Sequence, residues 1–182
     1  MRNANFFERG MDIIPLLNEQ DVNSQTTPDW VKLRDYQRAL VCVAKYGTED
    51  VDTMGVQIIQ ATDASGTGSK KVDALFPWWL KQGTLTSQTV WTAGRLTTAD
   101  DILGIGSAAP SGGTLIAATD VNTDAFILCI DVQVTDLDAD NGFDWLSIDL
   151  PPGEVNNALL ISAWVILMDA RFRQNVPLSA IS

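Results

Sequence analysis

The clearest hydrophobic pattern along this chain has a period of two. Phe126, Leu128, Ile130, Val132 and Val134 fall on alternate positions, so one face of a strand carries all five. Arg38 to Ala44 (RALVCVA) is a short run with apolar residues at both parities, the pattern of a strand covered on both faces. Gly55 to Ala61 (GVQIIQA), the Thr- and Val-rich Thr84 to Thr92, Phe143 to Leu150 and the longer Ala158 to Met168 complete the predicted strands. Val72 to Lys81 and Thr98 to Leu103 resemble short helical turns, and Gly104 to Gly113 (GIGSAAPSGG) reads as a loop. Strands separated by Gly-, Asp- and Pro-rich turns, without repeated helical crossovers, predict an all-β fold: an antiparallel β-sandwich, jelly-roll-like.

The first 35 residues break this pattern. Apolar pairs (Phe6-Phe7, Ile13-Ile14, Leu16-Leu17) are separated by polar residues, Pro15 and Pro28 interrupt any long helix, and NSQTTP has the composition of a linker. A short helix is expected around Phe6 to Met11. Two readings stand: a terminal segment docked on its own domain, or an extended N-terminal arm whose apolar pairs bury against a neighbouring subunit. The expected organisation is an arm and linker over residues 1–35, a sandwich over 36–172 and a tail over 173–182.

Charge narrows the chemistry. From Leu96 to Ala170 the chain carries twelve Asp or Glu residues and no Lys or Arg, and it contains no histidine. An acidic half without a cation is a poor phosphate binder, and the net charge of −11 repels nucleic acid and anionic membranes while favouring solubility. Without His the chain lacks the commonest general base and the commonest metal ligand at neutral pH. No run approaches the roughly 20 apolar residues of a membrane helix, and the N-terminus lacks the unbroken apolar region of a signal peptide. Cys42 and Cys129 each sit in an apolar strand-like run, where cysteine behaves as a small buried hydrophobe. No cofactor and no metal is expected.

Three segments invite sharper readings. Asp136-Leu-Asp138-Ala-Asp140-Asn-Gly142 places carboxylates at positions 1, 3 and 5 of a calcium loop, but the glycine falls at 7 and Ser147 stands where a bidentate Glu is needed. Asp-Asn-Gly between two strands is a hairpin turn instead, because Asn and Gly accept positive φ cheaply. Ser65-Gly-Thr-Gly-Ser-Lys-Lys71 lacks the spacing of a phosphate-binding loop and reads as a mobile turn. Trp78-Trp79 is the most conspicuous aromatic pair: in an extended segment one ring points inward and the other outward. Core packing of both rings is the plainer reading; a ring left exposed there marks a contact with a partner chain or a sugar. Trp91, Trp145 and Trp164 lie in strand-like runs and are expected in the core. Paired carboxylates are the one hydrolytic chemistry that needs no histidine, but abundance of acid is not a signature of it.

Taken in order, RALVCVAKYG, VQIIQATDASGTGSKKV, FILCIDVQVTDLDADNGFDWLSIDL and ALLISAWVILMDARF resemble segments of small structural proteins of tailed bacteriophages. The features that carry the resemblance are the turn at Gln60 to Thr67, the acidic hairpin at Ile130 to Asp144 and the final strand ending at Ala170 to Phe172. It covers about Arg38 to Phe172 and leaves out the N-terminal arm and Trp78-Trp79. The resemblance implies a β-sandwich virion component, made in the host cytoplasm, that decorates or cements the head. It also implies a homo-oligomer, with a trimer as the expectation, bound to the major capsid protein or other virion proteins. It supplies no catalytic residue. A tail-tube or head–tail-joining subunit is the alternative within the virion. A carbohydrate-binding sandwich, or a small acid-catalysed glycosidase, is the alternative outside it. The candidate interaction residues are Phe6, Phe7, Ile13, Ile14, Leu16 and Leu17 in the arm, with Trp78 and Trp79.

Overall fold

A computed structural model describes residues 11–21, 28–45, 53–83, 91–98, 102–106, 113–118, 125–150 and 160–170. They form strands β1 (Asp12–Asp21), β2 (Val31–Lys32), β3 (Tyr36–Lys45), β4 (Thr53–Ala61), β5 (Lys70–Lys71), β6 (Pro77–Gly83), β7 (Thr92–Arg95), β8 (Ile102–Gly106), β9 (Gly113–Ala118), β10 (Ala125–Gln133), β11 (Trp145–Asp149) and β12 (Leu160–Ala170). Two sheets result, with strand orders β1-β12-β3-β10-β6-β7 and β2-β11-β4-β8-β9; β5 adds to β4.

The pairings nest. β1 pairs β12, β2 pairs β11, β3 pairs β10 and β4 pairs β8, all antiparallel, and the pairs alternate between the two sheets. A long antiparallel ribbon rolled in this way is a jelly roll, as the strand pattern predicts. Three additions depart from the eight-strand plan. The β6–β7 hairpin extends the six-stranded sheet beyond β10, β5 caps β4, and β9 runs parallel to β8.

One core fills the space between the sheets. Ile14, Val165, Val41, Ile130 and Trp78 stand in register across five strands of the larger sheet. They meet Val56, Ile58, Leu103, Ile105, Leu146 and Ile148 of the smaller one. Each such aliphatic or aromatic side chain contributes about 1.5–3 kcal/mol on burial. The row ends at Gly94 of β7, opposite Trp78. Any Cβ there would collide with the six-membered ring of the Trp78 indole, so glycine is what lets that ring lie flat against β7.

Several expectations need correction. Residues 12–21 are an integral edge strand paired with β12, which fits the reading of a terminal segment docked on its own domain and not that of an arm buried against a neighbouring subunit. A bulge between Pro15 and Leu17 inserts an extra residue, which breaks the alternation and lets the adjacent Leu16 and Leu17 both bury, at 2% and 4% exposure. The Asp29 N–H donates to the Leu16 carbonyl at 2.8 Å and holds the returning chain against the strand. With β2 also inside the smaller sheet, the sandwich begins well before residue 36. The helical turn expected over Val72 to Lys81 does not form, since Pro77–Gly83 is β6; of the one expected over Thr98 to Leu103, residues 99–101 lie outside the described residues and Ile102–Gly106 is β8. Pro77 sits at the first residue of its strand, where a missing N–H is tolerated, and pairing with β10 and β7 decides the conformation. Gly104, expected in a loop, is buried within β8. Phe6, Phe7 and the helix expected around them, most of the predicted Thr84 to Thr92 strand, and the tail from residue 171 lie outside the described residues.

Candidate interaction surface

Alternation along each strand sends every second side chain away from the core, and on the larger sheet those side chains are unusually apolar. Pro15, Trp164, Cys42, Cys129, Trp79 and Ala93 are successive cross-strand partners from β1 to β7. One row to the side runs Ile13, Ile166, Leu40 and Asp131. On the other side runs Ser162, Ala44, Ile127 and Lys81. Leu40, Trp79, Trp91, Cys129 and Met168, with Arg38, line an open hollow of about 460 Å³ on this face.

Charge on this face is sparse and largely matched. Arg38 donates from Nε to Asp131 Oδ1 and from Nη2 to Oδ2, each at 2.6 Å. The pair is diagonal across β3 and β10, and the Asp131 side chain is only 7% exposed. The hydrogen bond to Asp131, against a smaller effect of burial, raises the Arg38 pKa above its ordinary value. Lys81 lies 5.8 Å from the centre of the Trp91 ring, within cation–π range. Asp131, already neutralised, is the one acid in these rows. The outer face of the larger sheet is thus an apolar, near-neutral surface on a chain of net charge −11.

A second, polar hollow of about 540 Å³ lies where β4 and β5 meet the acidic loop between β10 and β11. That loop crosses from the larger sheet to the smaller one and is not the hairpin the sequence suggests, because β10 and β11 pair with other strands. The two segments singled out by their turn grammar pack against each other here. Gln60 donates from Nε2 to the Lys71 carbonyl at 3.3 Å, and its Oε1 accepts the Asp138 N–H at 2.8 Å. Lys70 Nζ reaches Asp138 Oδ2 at 2.5 Å while lying 4.1 Å from the Phe143 ring centre. Asn141 donates to the other Asp138 oxygen at 2.7 Å, and Asp136 accepts the Gln133 N–H at 2.8 Å. The Lys70 and Asn141 hydrogen bonds hold the Asp138 pKa below its usual range. Two short 3-10 turns follow one another, 134–136 ending on extended Leu137 and 139–141 ending on Gly142 at φ +85°. The carboxylates therefore organise the turn, and no group of three acids or thiols converges as a metal site among the described residues. The earlier turn is equally ordered: Asp63 Oδ1 accepts the N–H groups of Ser65 and Thr67, and Gly66 sits at φ +76° beneath Trp30.

The structure divides the candidate residues. Trp78 points into the core at 7% exposure and Trp79 outward into the apolar hollow, the opposed arrangement expected of an extended pair. Of the proposed arm contacts, Leu16 and Leu17 are consumed by the chain's own core, Ile14 packs against it, and Ile13 stays 47% exposed on the outer face. Trp91 and Trp164 are corrections to the sequence reading. Trp91 is 46% exposed and Trp164 stands in the outer row. Sequence reasoning missed Leu40, Ile166 and Met168 altogether. Their signal was present in RALVCVA and ISAWVILM, which are apolar at both parities; only the topology reveals that these runs are neighbours on one face.

No family model, no curated protein and no solved structure matches the chain. The class that fold and surface define is a jelly-roll β-sandwich with an apolar outer sheet face, and no family is assigned beyond it.

Proposed function

We propose that the protein is a non-enzymatic structural component of a tailed-phage virion, a decoration or cement protein that binds the head shell through the outer face of its larger sheet. One observation carries the reading. Half-buried Trp164 and Trp79, the cysteines between them and the hollow beside them, with Ile13 and Trp91 exposed, form one apolar patch, and such patches mark contacts with other macromolecules. Tryptophan and arginine at the centre of a patch are the residue types that dominate interface energetics. A rigid sandwich suits a repeating lattice, where many weak contacts sum to tight attachment. The sequence resemblance to tailed-phage structural proteins supports the same reading. A sugar-binding role fits less well, since among the described residues Arg38 is the one charged side chain lining the hollow around Trp79 and Trp91, it has no acceptor, and two of its five N–H donors already go to Asp131.

Mass spectrometry of density-purified particles of the virus that encodes the chain tests this. A fixed copy number per particle that stays with the head fraction after heads and tails are separated is the expected result. Absence from purified particles would overturn the reading. Presence in the tail fraction alone would replace it with the tail-subunit alternative.

A further inference from the structure

We infer that Cys42 and Cys129 form a dithiol site that closes to a cross-strand disulfide when a peroxide reaches the outer face of the sheet. The inference holds whatever partner that face binds. The two residues are directly opposed in the β3–β10 ladder, and their sulfurs lie 3.6 Å apart as free thiols. Opposed residues in an antiparallel ladder have Cα separations of about 4.5–5.5 Å, inside the range of about 4.4–6.8 Å that a disulfide spans. The sulfurs need close by only about 1.5 Å to reach bonding distance. No strand has to move.

The surroundings differentiate the two thiols. Cys129 lines the open hollow with Trp79 and Trp91, whereas Cys42 is 3% exposed between Cys129 and Trp164. The Cys42 thiol has two acceptors in reach, Cys129 Sγ and the Leu40 carbonyl at 3.9 Å. The sulfur–sulfur hydrogen bond, in which either thiol can be the donor, shifts the Cys129 pKa below its ordinary value and raises that of Cys42. Cys129, 9% exposed at the floor of the hollow, is therefore the thiol that meets oxidant first, and Cys42 is the resolving thiol behind it.

The chemistry balances with hydrogen peroxide as the oxidant. The Cys129 thiolate attacks one peroxide oxygen, the O–O bond breaks, and hydroxide leaves to take up the proton that Cys129 has lost, giving a sulfenic acid and water. The Cys42 sulfur then attacks the Cys129 sulfur. The S–O bond breaks, and the departing hydroxide takes the Cys42 proton to form a second water. Two thiols and one peroxide become one disulfide and two waters, and thiol exchange with a reductant reverses the product.

The test uses the intact full-length protein, reduced, desalted and exposed to mild hydrogen peroxide at neutral pH. The expected result is a mass loss of about 2 Da, with both titratable thiols disappearing together and a Cys42–Cys129 peptide under non-reducing digestion. Dithiothreitol should restore both thiols. Cys42→Ala should instead accumulate a Cys129 sulfenic acid that dimedone traps, and Cys129→Ala should leave Cys42 unmodified at the same dose. Wild-type peptide mapping decides the matter even if either variant folds poorly. Thiols that persist, that oxidise separately to sulfinic acids, or that link only between chains overturn the inference.

Discussion

The Gln60 side chain grips Asp138 by its backbone: Oε1 accepts the Asp138 N–H at 2.8 Å, while Nε2 holds the Lys71 carbonyl on the opposite side. Gln60 follows Ile58 on the inward row of β4, opposite Leu146, and is 2% exposed. One buried amide thus satisfies two backbone groups from two different turns. Gln60→Leu keeps the volume and orphans both. Losing these two part-buried hydrogen bonds should cost about 1–3 kcal/mol in total. A lowered urea midpoint with an unchanged m-value is the expected readout.

Trp78 and Gly94 form a second interlocked pair. Gly94→Ala places a methyl group against the indole and should destabilise by about 1–3 kcal/mol through overpacking. The clash involves atoms of the indole that phenylalanine lacks. Trp78 Nε1 is also buried without a hydrogen-bond partner among the described residues. Trp78→Phe should therefore rescue part of the Gly94→Ala loss, giving a non-additive double-mutant cycle measured by chemical denaturation. Additive losses would show that the ring does not press on β7.

Arg38→Leu should be more damaging than its half-exposed position suggests. Removing the guanidinium strands the buried Asp131 carboxylate on an apolar face, at a cost of about 1–3 kcal/mol. Asp131→Asn in the same background removes the stranded charge and should recover much of the loss, as thermal melts of the single and double variants will show.

Asp63 sets an expectation for acid. Hydrogen bonds from Thr67, first its side chain and then its N–H, and from Ser65 lower its pKa to about 2. The unfolded carboxylate titrates near 3.9, so below that pH the unfolded state takes up the proton first. The contribution of this turn is complete above about pH 4 and fades as the pH falls towards 2. A carbon-detected NMR titration should place the Asp63 midpoint near the lower value, and Asp63→Asn should flatten the acid limb of the stability curve.

Trp91→Glu addresses the outer face. At 46% exposure the ring contributes little to the fold, so stability should change by no more than about 0.5 kcal/mol. A carboxylate in the apolar hollow should nonetheless weaken attachment to heads by about tenfold or more, measured by co-sedimentation of the variant with stripped heads. Unchanged attachment would place the contact surface elsewhere.

The period-two pattern made the fold class legible, because alternation in β10 and the both-parity runs in β3 and β12 respond to local burial alone. Trp78 and Trp79 point opposite ways only in an extended segment, whereas the sequence pattern predicts a helical turn there; pairing with β10 and β7 is what makes the segment extended. Leu16 and Leu17 could not be read as core, since adjacent buried residues violate alternation unless a bulge intervenes, and the bulge is set by pairing with β12. β6 and β8 hide behind Pro77 and the glycines of GIG because their partners, not their own propensities, make them strands. Lys45, fully buried at the end of β3, is likewise invisible to a reading that puts lysine in water. The outer face went unread because it is assembled from five distant segments, each unremarkable alone.

The nested order of the strands also dictates a schedule. β4 and β8 enclose the shortest stretch of chain, β3 and β10 a longer one, and β1 must wait for β12, with Asp12 meeting Leu167. Loop-closure entropy favours the innermost pair and penalises the outermost, so the roll zips from its middle outward. On a ribosome, the strand made first is the one that pairs last. Until residues 160–170 emerge, Leu16 and Leu17 lack the strand against which they bury.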